Sequence, residues 1–250
     1  MEKYNNSPYR KIPDKLYKDF TMNGKIKVKD YFFNEKTENI LWTEEFIQSY
    51  IEEFTKENII LKKTKRNSYG SEICLKLFKS FEKYNIKNKR VAVVGSQNPW
   101  IEAMLINLKN EVVTIEYNVP KTNYNKLICR DYFEYFTKNK EKFDCIVTFS
   151  SIEHSGLGRY GDPLNPNGDI ETMNTIYENL NQEGILIWGA PVGKDKIFWN
   201  AHRIYGELRL PLIFKNFIEK EWINENKKEL VEKDSDNVYQ PVVVLTPKKS

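Results

Sequence analysis

The sequence predicts an α/β fold: a mostly parallel sheet with helices on both faces, preceded by a helical N-terminal region. Three observations point there. From Arg90 onward short continuous apolar runs recur, as strands buried on both faces require. Segments with helical apolar spacing separate them, and parallel strands joined by crossover helices need that alternation. The runs at 91–94, 112–115 and 143–149 end in glycine, an acid and serine, which suit strand-end loops better than core. Residues 1–88 are instead rich in Lys, Asn, Tyr and Glu with no long β-branched run. The expected division is an arm with helices over 1–88 and the α/β domain over 89–250.

The elements follow in order. Residues 1–40 read as a loosely structured arm packed on the domain or on a partner copy. Thr43 is a capping hydroxyl, followed by Glu44 and Glu45 in a first turn. Phe46, Ile47, Tyr50, Ile51 and Phe54 then keep helical spacing. The basic run 62–66 reads as a solvated loop in preference to a phosphate-binding edge. A second helix spans 71–84, with Ile73, Leu75, Leu77, Phe78 and Phe81 as its apolar residues. Residues 91–94 form a buried strand closed by Gly95. Residues 98–110 form a helix, and Pro99 is tolerated in its first turn because an amide there has no helical partner. Strands are expected at 112–115, closed by Glu116; at 126–129, ending at Asp131; at 143–149, ending in Ser150 and Ser151; and at 184–189. A helix spans 168–180. Residues 194–210 read as partly helical, and 214–222 have no clear type. The valine-rich stretch 239–246 is a late strand. No helix separates it from the end of the sequence, so it lies at an edge or runs antiparallel.

Composition narrows the function classes. A hydrophobic fraction of 40%, with 14% aromatics, builds a large core and excludes a disordered chain or a disulfide-stapled miniprotein. Lys+Arg 39 against Asp+Glu 35 leaves only +4, too little and too scattered for a nucleic-acid partner. No apolar run approaches the roughly 18 residues that span a bilayer. Residues 1–8 lack the apolar core of a secretory signal. Cys74, Cys129 and Cys145 form no CxxC pair and read as buried, reduced thiols of a cytoplasmic protein.

In open α/β sheets ligands sit beyond the carboxyl ends of the strands, so the residues after each strand carry the functional signal. Gly95-Ser96-Gln97-Asn98-Pro99-Trp100 follows the first: a glycine permitting close approach, then a helix N-terminus. It has one glycine where a dinucleotide fingerprint has three. Glu116 lies about twenty residues further on, where an acid can accept ribose hydroxyls. Asp131 stands where an acid could accept an adenine amino group. The densest stretch is residues 150–162, holding Ser150, Ser151, Glu153, His154, Arg159, Asp162 and three glycines, too polar for core and too glycine-rich for helix. It contains one of the two histidines; the other, His202, follows the fifth strand beside Arg203. Asp162, Asn165, Asn167 and Asp169 are oxygen-rich but match no calcium loop, so turn and capping roles are expected and no metal.

The strings Ser150-Ser151-Ile152-Glu153-His154-Ser155-Gly156-Leu157-Gly158-Arg159-Tyr160-Gly161-Asp162-Pro163 and Asn200-Ala201-His202-Arg203-Ile204-Tyr205-Gly206 carry a resemblance over residues 90–222. The chain resembles an uncharacterised domain-of-unknown-function family grouped with class I (Rossmann-like) S-adenosylmethionine-dependent methyltransferases. That resemblance implies a seven-stranded sheet with an antiparallel last strand and S-adenosylmethionine as cofactor. Gly95, Ser96 and Gln97 would lie under its methionine part, Glu116 at the ribose, Asp131 on the adenine side, and Ser150 and Ser151 beside the methyl group. The first loop departs from the usual glycine-rich turn.

Methyl transfer to a hydroxyl needs alignment and a base. His154 is the expected base, oriented by Glu153 or Asp162, with His202 and Arg203 holding the substrate; an arginine suits a phosphate or carboxylate on it. By analogy the substrate is a small molecule, a sugar or nucleotide-sugar hydroxyl of polysaccharide biosynthesis. The rivals are a nicotinamide-dependent oxidoreductase, disfavoured by the single-glycine loop, and a non-catalytic member binding nucleotide or a partner chain, including a second copy, through its aromatic arm.

Overall fold

A computed structural model describes residues 9–33, 40–138, 141–237 and 239–249. The signal-peptide reading of residues 1–8 and the arm segment 34–39 lie outside these. In chain order the elements are α1 (Asp14–Phe20), β1 (Lys27–Tyr31), β2 (Leu41–Trp42), α2 (Glu44–Glu53), α3 (Lys56–Ile60), α4 (Ser71–Lys83), β3 (Arg90–Val94), α5 (Trp100–Asn107), β4 (Glu111–Glu116), β5 (Lys121–Thr122) and β6 (Leu127–Asp131). There follow α6 (Tyr132–Lys138), β7 (Phe143–Phe149), a 3₁₀ turn (Ile152–His154), α7 (Gly168–Asn179), β8 (Leu180–Gly189), β9 (Lys196–Asn200), β10 (His202–Ile204), α8 (Leu210–Ile213), β11 (Phe217–Trp222), α9 (Lys227–Glu232) and β12 (Val243–Pro247).

Seven strands form the central sheet in the order β11-β12-β8-β7-β3-β4-β6. The pairs from β8 to β6 are parallel, while β12 runs antiparallel to both β8 and β11. Of the two arrangements the sequence left open, the late strand is antiparallel and not at the edge, because β11 takes the position beyond it. The chain winds from β3 outward to β6 and returns to β7 on the other side. The strand order thus reverses between β3 and β7, and this is where a crevice opens at the carboxyl ends.

Period-two alternation divides the core between two faces. Val91, Val93, Val112, Cys145, Val147 and Ile187 pack with residues of α2, α4 and α5, among them Ile47, Leu77, Phe81 and Met104. Ala92, Val94, Val113, Ile115, Ile146 and Leu186 pack with Met173 and Ile176 of α7 and with Ile213 and Phe214. Each fully buried large side chain contributes roughly 1.5–3 kcal/mol of transfer free energy. α2 begins where the sequence placed it: the Thr43 hydroxyl accepts from Phe46 N–H (3.2 Å). Cys74 and Cys145 are buried and Cys129 half-buried, all as free thiols. Among the described residues no helix is long and apolar enough to cross a membrane.

Two expectations fail on the same contact. Residues 194–210 are not helical: β9 and β10 form a hairpin, and β9 pairs in parallel with β1 of the supposedly loose arm. Ile197 and Trp199 point into a small third cluster with Ile12, Phe20, Ile26 and Leu157. Phe20 meets Trp199 edge-on at 5.2 Å, and Trp199 Nε1–H donates to Tyr9 O (2.8 Å). The apolar spacing of this segment suits either element, and a strand partner remote in sequence decides between them.

Candidate functional site

A cavity of about 1110 Å³ opens over the tips of β3, β4 and β7. Its floor starts at Gly95, whose φ of +82° is the left-handed conformation a strand-to-helix turn needs. A Cβ there would lie 1.8 Å from Ser151 Oγ, so the glycine admits the neighbouring strand end rather than a ligand. Ser96 N–H donates to Glu116 Oε1 (2.6 Å) and Tyr117 N–H to Glu116 Oε2 (2.9 Å), with Asn118 N–H a third donor. Glu116 is first a clamp between the loops after β3 and β4. Of the roughly four lone-pair sites of a carboxylate, the clamp leaves about one for a ligand. Burial pushes its carboxyl up to about 7. Beneath it Glu102, fully buried in α5, accepts from Thr114 Oγ1 (2.9 Å); burial, aided by Glu116, pushes it up to about 7 as well.

The loop after β7 forms the second wall. Ser150 holds a positive φ of +53°, a strained conformation for a non-glycine residue at a strand end. Its hydroxyl donates to Glu153 Oε1 (3.0 Å) and accepts from Gln240 Nε2 (3.0 Å). Glu153 is 1% exposed, its Oε2 has no hydrogen-bond partner, and burial pushes the carboxyl up to about 7. His154 Nδ1 bonds the Ala201 carbonyl, which can only accept. The imidazole therefore carries its proton on Nδ1, and the Nε2 lone pair lies 3.5 Å from Glu153 Oε1. Burial, with Arg159 nearby, pushes His154 down to about 3 and His202 down to about 4, so both rings are neutral near pH 7. His202 lies flat on Phe198 (4.8 Å) with Nε2 unpartnered. Asp162 accepts from Gly156 N–H (2.6 Å) and Gly158 N–H (3.3 Å) and braces the loop, the turn role expected of it.

Gly95, Ser96, Gln97, Glu116, Ser150, Ser151, Glu153, His154 and His202 all line this one cavity. Asp131 and Arg203 do not. The Asp131 carboxylate accepts Glu134 N–H (2.9 Å) and caps α6. Arg203 is fully buried: Nη1 donates to Ser155 O (2.6 Å), and Nε lies 3.6 Å from Asp169. It pins the loop from behind, since a guanidinium out of water needs carbonyls and a carboxylate around it. Asp169 also binds Arg209 Nε (2.7 Å); although burial pushes its pKa up, the two arginines hold it below the usual range. Among the described residues no cluster of His, Cys, Asp or Glu could hold a metal.

The sequence missed the roof. Lys65 and Arg66, from the run read as a solvated loop, reach the cavity with Asn67 and Tyr69. Glu53 holds them there, its Oε1 accepting from Lys65 N–H (2.5 Å) and Arg66 N–H (2.8 Å). Gln240, ahead of β12, closes the far side. The basic run is the one local signal here; nothing local marks Asn67, Tyr69 or Gln240, because only α2, α4 and β12 folding onto the sheet bring them to the cavity.

A family model described as "Caenorhabditis protein of unknown function, DUF268" matches residues 88–240, more than half of the 250-residue chain. The chain belongs to this family. Both strings that carried the sequence resemblance fall inside the matched part of the DUF268 chain. No curated protein matches it. Among solved structures, the 1,6-didemethyltoxoflavin-N1-methyltransferase of Burkholderia thailandensis, with 1,6-didemethyltoxoflavin and S-adenosylhomocysteine bound, is similar at TM-score 0.51 and 10% identity. The match covers 69% of this chain and 77% of that one. A TehB-like SAM-dependent methyltransferase of Corynebacterium glutamicum gives TM-score 0.47 and 12% identity, over 80% of this chain and 100% of that one. At these identities the likeness is one of fold, and the DUF268 chain has the Rossmann-like, seven-stranded fold of class I methyltransferases.

Proposed function

We propose that this DUF268 chain is an S-adenosylmethionine-dependent methyltransferase acting on a small hydroxylated substrate. One observation carries the reading: the cavity lies at the strand-order reversal, with the Glu116 carboxylate at the tip of β4 and the Gly95 loop beside it. That is the layout for an adenosine laid across strand tips. Its volume exceeds the roughly 300–1,000 Å³ of a single-ligand pocket, leaving room for a second molecule. The bound donor would supply an electrophilic methyl on a sulfonium. The chain holds the sugar at Glu116, excludes water beneath the roof of Tyr69 and Asn67, and aligns the substrate.

A hydroxylated substrate suits what the cavity leaves unpaired. Asn67 Nδ2 is an unpartnered donor, because its Oδ1 accepts Tyr69 N–H (3.0 Å). Gln240 Oε1 and Glu153 Oε2 are unpartnered acceptors, and His202 Nε2 is also orphaned. Buried polar atoms left open like this cost free energy unless a ligand completes them. A hydroxyl serves both kinds, so a sugar-like molecule fits all four. The Glu153–His154 pair stands among them to take the hydroxyl proton.

Parallel calorimetric titrations with S-adenosylhomocysteine and NAD test the reading. Binding of the former alone is expected, and Glu116→Ala should weaken it by about tenfold or more, the loss of one charge-assisted hydrogen bond. Tight binding of NAD instead would transfer the site to the oxidoreductase reading.

A further inference from the structure

We infer that Glu153, not the neighbouring histidine, takes the proton from the substrate hydroxyl, and that His154 is the residue that positions it. The inference rests on the methyl-donor reading and assigns the chemistry within it. Three geometric facts carry it. Glu153 Oε1 is committed, to the Ser150 hydroxyl at 3.0 Å and toward His154 Nε2 at 3.5 Å, whereas Oε2 is buried with no partner at the cavity wall. His154 Nδ1 is tied to Ala201 O, and its remaining lone pair, on Nε2, is turned toward Glu153 Oε1 at 3.5 Å. Strand order supplies the third. With the ribose at β4 and the Gly95 loop at β3, a ligand continuing in the same direction presents its reactive end at β7, the strand whose loop bears Glu153.

The groups facing Glu153 agree with a base that works near neutrality. Tyr69, hydrogen bonded to Ser150, and the buried Tyr205 stand close; the Glu153 backbone N–H, the Ser150 hydroxyl, the Arg159 guanidinium and the Ser151 backbone N–H favour the ionised carboxylate. Arg203 donates to the Glu153 backbone carbonyl (3.4 Å) from behind the loop. Burial outweighs these and leaves the carboxyl at about 7, suited to a base acting near neutrality, while His154 at about 3 is far too weak a base there. In the step, the substrate oxygen forms its bond to the methyl carbon while the C–S electron pair returns to sulfur. The hydroxyl proton passes to Glu153 Oε2, leaving a methyl ether, a neutral thioether and a protonated carboxyl.

The test is binding, so it needs no identified substrate. Sinefungin is a donor analogue in which a carbon replaces the sulfonium sulfur and an amine on it stands in place of the methyl; its ammonium would meet an ionised Glu153, and S-adenosylhomocysteine has no such charge. Calorimetry from about pH 6 to pH 8 should show wild type preferring sinefungin by about tenfold at the upper end, the scale of a close buried charge pair, and little at the lower. Glu116 contacts both ligands alike, so the affinity ratio cancels its titration. Glu153→Gln should abolish the preference and leave S-adenosylhomocysteine affinity within about twofold. His154→Phe removes a lone pair that faces Oε1 and disfavours the ionised carboxylate, so the preference should persist with its midpoint moved to lower pH. A preference surviving in Glu153→Gln, or absent from wild type at pH 8, overturns the inference while the donor reading stands. If Glu153→Gln does not fold, the wild-type pH profile still decides. Failure of wild type to bind either ligand sinks both readings together.

Discussion

Gly95 and Ser151 occupy space that only one side chain can fill: a Cβ on the glycine would lie 1.8 Å from the serine Oγ. The contact joins the ends of β3 and β7 at the point where strand order reverses, and so sets the spacing of the cavity floor. Gly95→Ala should therefore destabilise the protein, by about 1–3 kcal/mol from backbone strain alone, with the displaced serine adding to it. Urea unfolding checks the stability, and a parallel titration should show weakened S-adenosylhomocysteine binding. An unchanged midpoint would mean that the strand ends yield freely.

Glu102 gives the protein a pH dependence of defined sign. Its folded pKa is raised to about 7 from an ordinary 4.5, so below the ordinary value it contributes nothing. Between 4.5 and 7 the unfolded chain gives up the proton first, and stability falls as pH rises. Glu102→Gln copies the neutral form. It should match wild type near pH 4 and exceed it near pH 8 by about 3 kcal/mol. The two histidines work the opposite way: their folded values, about 3 and about 4, lie below the ordinary 6.5, so their contribution rises with pH up to that point. Wild type and variant share that term, and the difference between their denaturation midpoints reports Glu102 together with its coupling to Glu116.

Asp169 sits fully buried between Arg203 and Arg209. Asp169→Asn would leave two guanidiniums in low dielectric without their counter-charge, a loss of about 3–5 kcal/mol. Because the folded pKa is held low, the wild-type advantage is present above the ordinary aspartate range and is lost as pH falls through the folded value. The gap between the two proteins' denaturant midpoints should narrow from pH 7 toward acid, as the wild-type carboxylate begins to take up its proton. The loop at 150–162 should also become more open to proteolysis, since Arg203 anchors it.

What the sequence by itself determined is whatever short-range periodicity encodes. Continuous apolar runs such as 91–94 can be satisfied only between two covered faces, and a helix spacing such as that after Thr43 only on a packed helix. The residues closing those strands, Gly95, Glu116 and Ser150 among them, were visible because a strand's end fixes which atoms reach its tip. Tertiary structure decided everything that depends on which remote segments meet. The segment 196–204 became a hairpin once β1 offered its edge. Arg203 turned inward because the carbonyls of the 150–162 loop and Asp169 surround it. Asp131 was used as a helix cap. Asn67, Tyr69 and Gln240 became part of the site only when α2, α4 and β12 closed over it. Apolar pattern measures how much of a residue must be hidden, but not from which side, and a polar side chain takes its role from partners that local sequence does not specify.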